Sequence, residues 1–206
     1  MKKQGMVLAI LAVLIFCSTS RANITNMTYA SDGDGAFVCN PWSWNGNASA
    51  VPVNVYGDQY SAPGHLILNV LTTDAEDPTL KIDNSIDNDT GFAWTQFTVN
   101  LTMAVPFTVT NVFVSTPADW NTISFDQAAV FTGSNYLATV IYDTGAPITT
   151  NGGIEFGYWV KFSGSPAYTI TQEMIPVPEP GTLALAGMGM LLIVRVVRHR
   201  RGASRG

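Results

Sequence analysis

The chain has 206 residues, 47% of them hydrophobic and only 12% charged, with a formal net charge of −5. The length suits one domain with appended segments. The charge is divided by position. Lys2, Lys3 and Arg21 stand at the front and Arg195, Arg198, Arg200, Arg201 and Arg205 at the back, while Ala22 to Pro176 sets two lysines against fourteen acidic residues, a net of −12. Such a surface repels nucleic acid, whose binding needs Lys and Arg against phosphate, but it tolerates cations such as calcium.

The first element is a targeting segment. Lys2 and Lys3 precede an eleven-residue apolar run, Met6 to Phe16, and Ser20-Arg21-Ala22 forms a small-x-small site. These are the three parts of a secretory signal, with cleavage expected after Ala22, or nearby after Ser18 or Ser20. Phe16 before Cys17 does not fit a lipoprotein signal, which needs a small residue there. Removal of the signal leaves Cys39, expected as a small buried hydrophobe.

Residues 23–175 read as one extracytoplasmic domain of strands. Val, Ile, Thr, Phe, Tyr and Trp dominate, and turn signals such as SDGDG, SAPG, DNDTG, DTGAP and NGG recur between apolar runs. Strands are predicted over 51–56, 65–72, 79–83, 92–103, 107–115, 122–131, 136–142, 153–162 and 167–174. Nine strands in this length predict an all-β fold, an antiparallel β-sandwich of jelly-roll or immunoglobulin-like type. In IEFGYWVKF, period-two alternation puts Ile154, Phe156, Tyr158, Val160 and Phe162 on one face and Trp159 on the other. In FAWTQFTVNLTMAV, Phe97, Val99, Leu101, Met103 and Val105 share a face, with Phe92 and Trp94 out of phase. Either a bulge near Thr95-Gln96 restores the phase, or Trp94 is exposed too. Exposed Trp94 and Trp159, with Trp42 or Trp44, would offer carbohydrate contacts; burial of these rings is the alternative.

Acidic residues come next. Asp32 and Asp34 in SDGDG resemble the start of a calcium loop, although position 12 is Ser43 rather than Glu, and turn chemistry explains the stretch without metal. A structural Ca²⁺ is thus a candidate, with no other cofactor indicated. Asp74, Glu76, Asp77, Asp83, Asp87 and Asp89 crowd a second stretch, read as solvated loop or as a cation site. His65, at the start of GHLILNV, reads as a strand end rather than a catalytic relay. No G-x-S-x-G, H-E-x-x-H, C-x-x-C or phosphate loop occurs, so the chain is not expected to be an enzyme. The triplets at Asn23, Asn26, Asn47, Asn88 and Asn100 are N-glycosylation acceptors only in a eukaryotic secretory protein.

The last element is a short greasy run. Leu183 to Val194 is twelve apolar or glycine residues, extended past Arg195 by Val196-Val197. A spanning helix needs about 20, so this is a marginal anchor that works only if Arg195 snorkels. Arg195, Arg198, Arg200 and Arg201 orient it with the arginines cytoplasmic, leaving residues 202–206 as a cytoplasmic tail and the β domain outside.

Val177-Pro178-Glu179-Pro180, the glycine-interrupted hydrophobic segment and the arginine cluster together resemble the PEP-CTERM sorting signal over about residues 176–201, similar in layout to the LPxTG signal. The resemblance implies a bacterial protein exported across the inner membrane. It also implies an exosortase-type membrane protease as partner, recognising the Pro-Glu-Pro region and removing the tail. A plain C-terminal anchor is the alternative. Proteins of this kind are associated with exopolysaccharide and biofilm, so the resemblance implies a surface or matrix protein, with cell-surface polysaccharide as a possible partner. A carbohydrate-binding module is the competing function and a secreted hydrolase the third.

Overall fold

A computed structural model describes residues 22–73, 78–143, 145–162 and 166–181. The signal segment, Asp74, Glu76, Asp77 and the hydrophobic run with its arginines lie outside the described residues.

Among the described residues thirteen strands follow in order: β1 Ile24–Ser31, β2 Phe37–Cys39, β3 Trp42–Ala48, β4 Ala50–Gln59, β5 Gly64–Thr72, β6 Thr79–Asn88, β7 Trp94–Met103, β8 Phe107–Thr116, β9 Asn121–Phe125, β10 Val130–Phe131, β11 Tyr136–Asp143, β12 Gly153–Phe162 and β13 Ala167–Pro178. They form a sandwich, as the alternation predicted. The larger sheet runs β10-β11-β7-β13-β5-β1-β3, with β9 also on β11, and the smaller runs β2-β4-β6-β12-β8. From β1 to β8 the chain changes sheet at every strand. One change is almost seamless: β3 and β4 are separated by Ser49 alone, yet pair in different sheets. Antiparallel pairing prevails. The exception is β4 on β6, which is parallel from Ala50↔Thr79 to Gln59↔Asn88, because β5 carries the chain through the other sheet between them.

The core lies between the sheets and is filled by the predicted inward faces. Ile154, Phe156, Tyr158, Val160 and Phe162 are all buried, as are Phe97, Val99, Leu101 and Met103; Val105 is half-buried against them. Cys39 is a free, buried thiol. Two polar assemblies tie this core together. Tyr158 donates to Gln172 Oε1, and Gln172 Nε2 donates to Asn84 Oδ1 at 3.0 Å, joining β12 and β6 of one sheet to β13 of the other. Asn88 Nδ2 donates to the carbonyls of Phe92 and Ile148, while its Oδ1 accepts from Thr90 N and Oγ1. Buried amides that use their valences on the backbone in this way fix local geometry.

Three corrections concern the reading of strands. The segment before residue 50 carries β1, β2 and β3, none of them predicted. In β1 a register shift between Ile24 and Asn26 puts Ile24 and Met27 three apart on the buried face, which disguises the period of two. The edge strand β3 is mostly exposed and built of WSWNGNA, a composition that reads as turn. Finally, the acidic run is half strand: on β6 Leu80, Ile82, Asn84, Ile86 and Asn88 point inward, and Asp83 and Asp87 point out.

Candidate functional site: the sorting strand and the outer faces

The sorting segment begins inside the sandwich. Strand β13 lies between β5 and β7, but its pairing with β5 ends at Met174↔Gly64. Pairing with β7 continues through Pro176↔Phe97, Val177↔Gln96 and Pro178↔Trp94. Glu179 N then donates to Ala93 O at 3.0 Å. Successive residues of a strand direct their backbone groups to opposite neighbours. With Glu179 facing β7, the nitrogens of Pro176 and Pro178 face the side where β5 has ended. Two prolines therefore fit in this strand without breaking a ladder bond. Pro176 is buried, Val177 and Pro178 are half-buried, and Glu179 and Pro180 are exposed. Pro180 and Gly181 are helical, in keeping with proline's preference for the first helical position. Among the described residues no helix is long and apolar enough to cross a membrane.

The register slip between Val177 and Pro178 leaves Thr95 as an extra residue on β7. This is the predicted bulge, and it corrects the reading of Trp94 as a carbohydrate contact. The bulge restores the phase, so Trp94 faces the core with no exposed surface, tilted on Phe97 at 5.2 Å, its Nε1 donating to Thr90 Oγ1 at 2.9 Å. Trp159 is half-buried on the outer face of the smaller sheet, with Lys81 Nζ 4.5 Å from its ring centroid, a cation–π contact. On edge strand β3, Trp42 is 37% exposed and stacks on Tyr29; Trp44 is half-buried against the core.

Asp32 and Asp34 are joined by a residue that sequence spacing does not reveal. Asp32 Oδ1 accepts from Asp34 N at 3.1 Å and Asp34 Oδ1 from Ala36 N at 2.7 Å, closing the loop on itself. The other oxygens turn toward His65, whose Nδ1 lies 3.1 Å from Asp32 Oδ2 and 4.0 Å from Asp34 Oδ2. On its other side His65 Nε2 is 3.7 Å from Glu173 Oε1. The Asp34 backbone N–H first, and the nearby His65, hold the Asp32 carboxyl below its ordinary value. Asp32, Asp34 and His65 offer three donor atoms within 4.8 Å of one another. An imidazole with two carboxylates suits a zinc-like ion better than calcium, which takes six to eight oxygens.

Glu173 continues this polar row across the larger sheet, accepting from Asn100 Nδ2 at 2.8 Å, while Asn100 Oδ1 accepts from Thr139 Oγ1. The glycosylation triplets at Asn88 and Asn100 thus have amides engaged in the fold.

The smaller sheet also presents exposed aromatic residues that carried no sequence motif. Tyr56 is 67% exposed and Phe113 40%, with Asp83, Ser85 and Glu155 between them in a cleft of about 300 Å³.

No curated protein and no solved structure matches the chain. Residues 176–201 match the family model of the PEP-CTERM protein-sorting motif, and this match marks an exported protein that an exosortase sorts by way of its C-terminal segment.

Proposed function

We infer that the chain is a non-catalytic component of the bacterial surface or extracellular matrix, released by an exosortase and associated there with exopolysaccharide. The observation that carries this reading is the continuity of the sorting motif with the sandwich. Val177 and Pro178 are both motif and strand, with Glu179 and Pro180 exposed just beyond, which supports a signal presented at the wall of the sandwich and delivery of a compact β domain. The domain's −12 charge suits a hydrated, soluble exterior. The hydrophobic run and Arg195, Arg198, Arg200 and Arg201 hold the chain at the membrane before release.

Carbohydrate binding is the second reading. In its tryptophan form it loses Trp94 to the core and keeps Trp159 and Trp42 as partly exposed rings. The test of the main reading is fractionation of the native host: the protein is expected with the extracellular polysaccharide, and in the membrane when the exosortase is deleted. A protein found in the membrane in both strains would sink this reading.

A further inference from the structure

The geometry points to a binding site for a neutral polysaccharide, a chain of linked pyranose rings, on the outer face of the smaller sheet, centred on Tyr56, Asp83, Glu155 and Phe113. The inference rests on the matrix reading above and names the surface that would hold the polymer.

Sheet alternation supplies the first half of the site. On β4, Val51, Val53 and Val55 point into the core and Asn54 and Tyr56 point out. Parallel pairing sets Asn54 beside Asp83 and Tyr56 beside Ser85. Antiparallel pairing then sets Asp83 beside Gly157 and Ser85 beside Glu155.

The second half depends on two irregularities in β8. Phe107 and Val109 face the core, and strict alternation would bury Phe113 as well. Instead, β12 advances from Gly157 to Trp159 while β8 advances from Phe113 back to Thr110, one residue more. Asn111 sits at this slip with φ of 49°, a left-handed conformation that Asn tolerates better than most residues. Beyond it Val112 and Val114 pack on the core, and Phe113 is turned outward. Bulges that re-aim a side chain are common beside functional sites.

Gly157 completes the arrangement: a Cβ there would lie 2.5 Å from both Asp83 Oδ1 and Phe113 Cζ. The missing side chain lets ring and carboxylate meet over the strand. A second slip, between Glu155 and Phe156, brings two hydroxyls to one carboxylate. Ser115 Oγ lies 3.3 Å and Thr116 Oγ1 2.9 Å from Glu155 Oε2, which orients Glu155 and leaves Oε1 for another donor.

The result is a shallow trough with an aromatic ring at each side and acceptors on its floor. By strand spacing Tyr56 and Phe113 spring from backbones about 15 Å apart, and because the Phe113 ring leans in over Gly157 the gap between the two rings suits a single sugar ring. A second cleft of about 240 Å³ continues past Tyr56 along Ser85, Asp87 and Asp58 toward Val38. The chemistry selects the ligand. Aromatic faces carry partial negative charge and attract the C–H faces of pyranose rings. Carboxylates accept charge-assisted hydrogen bonds from hydroxyls.

An acidic polymer is disfavoured. Asp58, Asp83, Asp87 and Glu155 share the face with two lysines, Lys81, which lies over Trp159, and Lys161 at the end of β12, so carboxylates outnumber cations around the trough. Burial, with the charges of Asp89 and Asp87, already pushes the Asp58 carboxyl up.

The test is affinity gel electrophoresis of the full-length chain in a sugar-free polyoxyethylene detergent. The gels contain hydroxyethyl cellulose, xylan, galactomannan or dextran, with polygalacturonate as the acidic arm. At least one neutral polymer should retard the wild type and polygalacturonate should not. Tyr56→Ala and Phe113→Ala should each weaken retardation about tenfold, the equivalent of one stacked ring, while Tyr56→Phe retains most of it. Phe131→Ala and Trp42→Ala, on the other sheet, should bind as wild type. No retardation by any neutral polymer, retardation by polygalacturonate alone, or Tyr56→Ala and Phe113→Ala binding as wild type would overturn the site. Host fractionation separates the two readings. A Tyr56→Ala/Phe113→Ala double variant that stays with the matrix defeats the trough and leaves the matrix reading standing. A wild type absent from the matrix defeats the matrix reading itself.

Discussion

Trp94→Ala separates a core tryptophan from a ligand-binding one. Trp94 has no exposed surface, so the substitution removes nearly all the apolar area of the largest side chain. At about 25 cal/mol per Å² and roughly 200 Å², the transfer term is near 5 kcal/mol. Measured Trp→Ala and Phe→Ala changes in cores run about 3–5 kcal/mol. The indole also accounts for one bond of Thr90 Oγ1, and its backbone bonds Ile148 in both directions at 2.9 Å; the backbone bonds survive the change. Taking 3–5 kcal/mol, and about 2–4 °C per kcal/mol for a domain of this size, Tm should fall by roughly 6–20 °C. Trp159→Ala gives the contrast. That ring is half-buried, and its contact with Lys81 is worth about 0.5–1 kcal/mol. Thermal unfolding followed by near-ultraviolet circular dichroism reads both. If Trp94→Ala melts within about 2 °C of wild type, Trp94 is not in the core and the bulge at Thr95 has been misread.

Gln172→Leu should cost roughly 2–4 kcal/mol in urea unfolding, because it strands the Tyr158 hydroxyl and an Asn84 oxygen in the core; adding Tyr158→Phe should recover part of the loss, and a purely additive pair would refute the network. Asp58 has its carboxyl pushed up, first by burial and then by Asp89 and Asp87. A folded-state pKa above the unfolded one means that stability is fully present below the unfolded value and is lost as pH rises through the folded one. Asp58→Asn should therefore raise Tm at pH 7 and leave it unchanged near pH 3, and an unchanged Tm at both would contradict this. Asp32 has the opposite sign: its contribution is present above the ordinary carboxylate range and disappears as pH falls through its lowered value, so Asp32→Asn should destabilise at pH 7 and not in acid. Asp34→Ala frees the Ala36 N–H and should cost about 1 kcal/mol, equally with and without chelator; a Tm that falls on adding chelator to wild type would show that a cation, not the loop's own bonds, holds Asp32, Asp34 and His65.

Much of this fold is legible in the sequence because burial on one face of a strand imposes a period of two. Residues 154–162 show it cleanly, and the phase break in 92–103 locates its own bulge. What is not legible fails for related reasons. The inward Asn84 and Asn88 make β6 look like an acidic loop, since nothing local announces that the Asn84 oxygen will accept from Gln172 and that Asn88 will bond the carbonyls of Phe92 and Ile148. Edge strand β3 has one partner and little to bury, so its composition is that of a turn. The union of Asp34 with His65 depends on loop geometry and on β1 pairing with β5, which spacing does not encode. In the trough, Tyr56 follows from alternation, but Phe113 does not: Asn111 on the nominally buried parity is the one local sign that β8 changes phase. The sorting motif is readable as a motif, while its place in the sheet is not, because two prolines argue against a strand until the end of β5 is known.

Intact mass of the protein recovered outside native cells tests the central claim most directly. If the sorting motif is also the end of the last strand, the mature chain retains Val177 and Pro178 and ends before Arg195. A chain that still carries Arg201, or one cut before Val177, would contradict it.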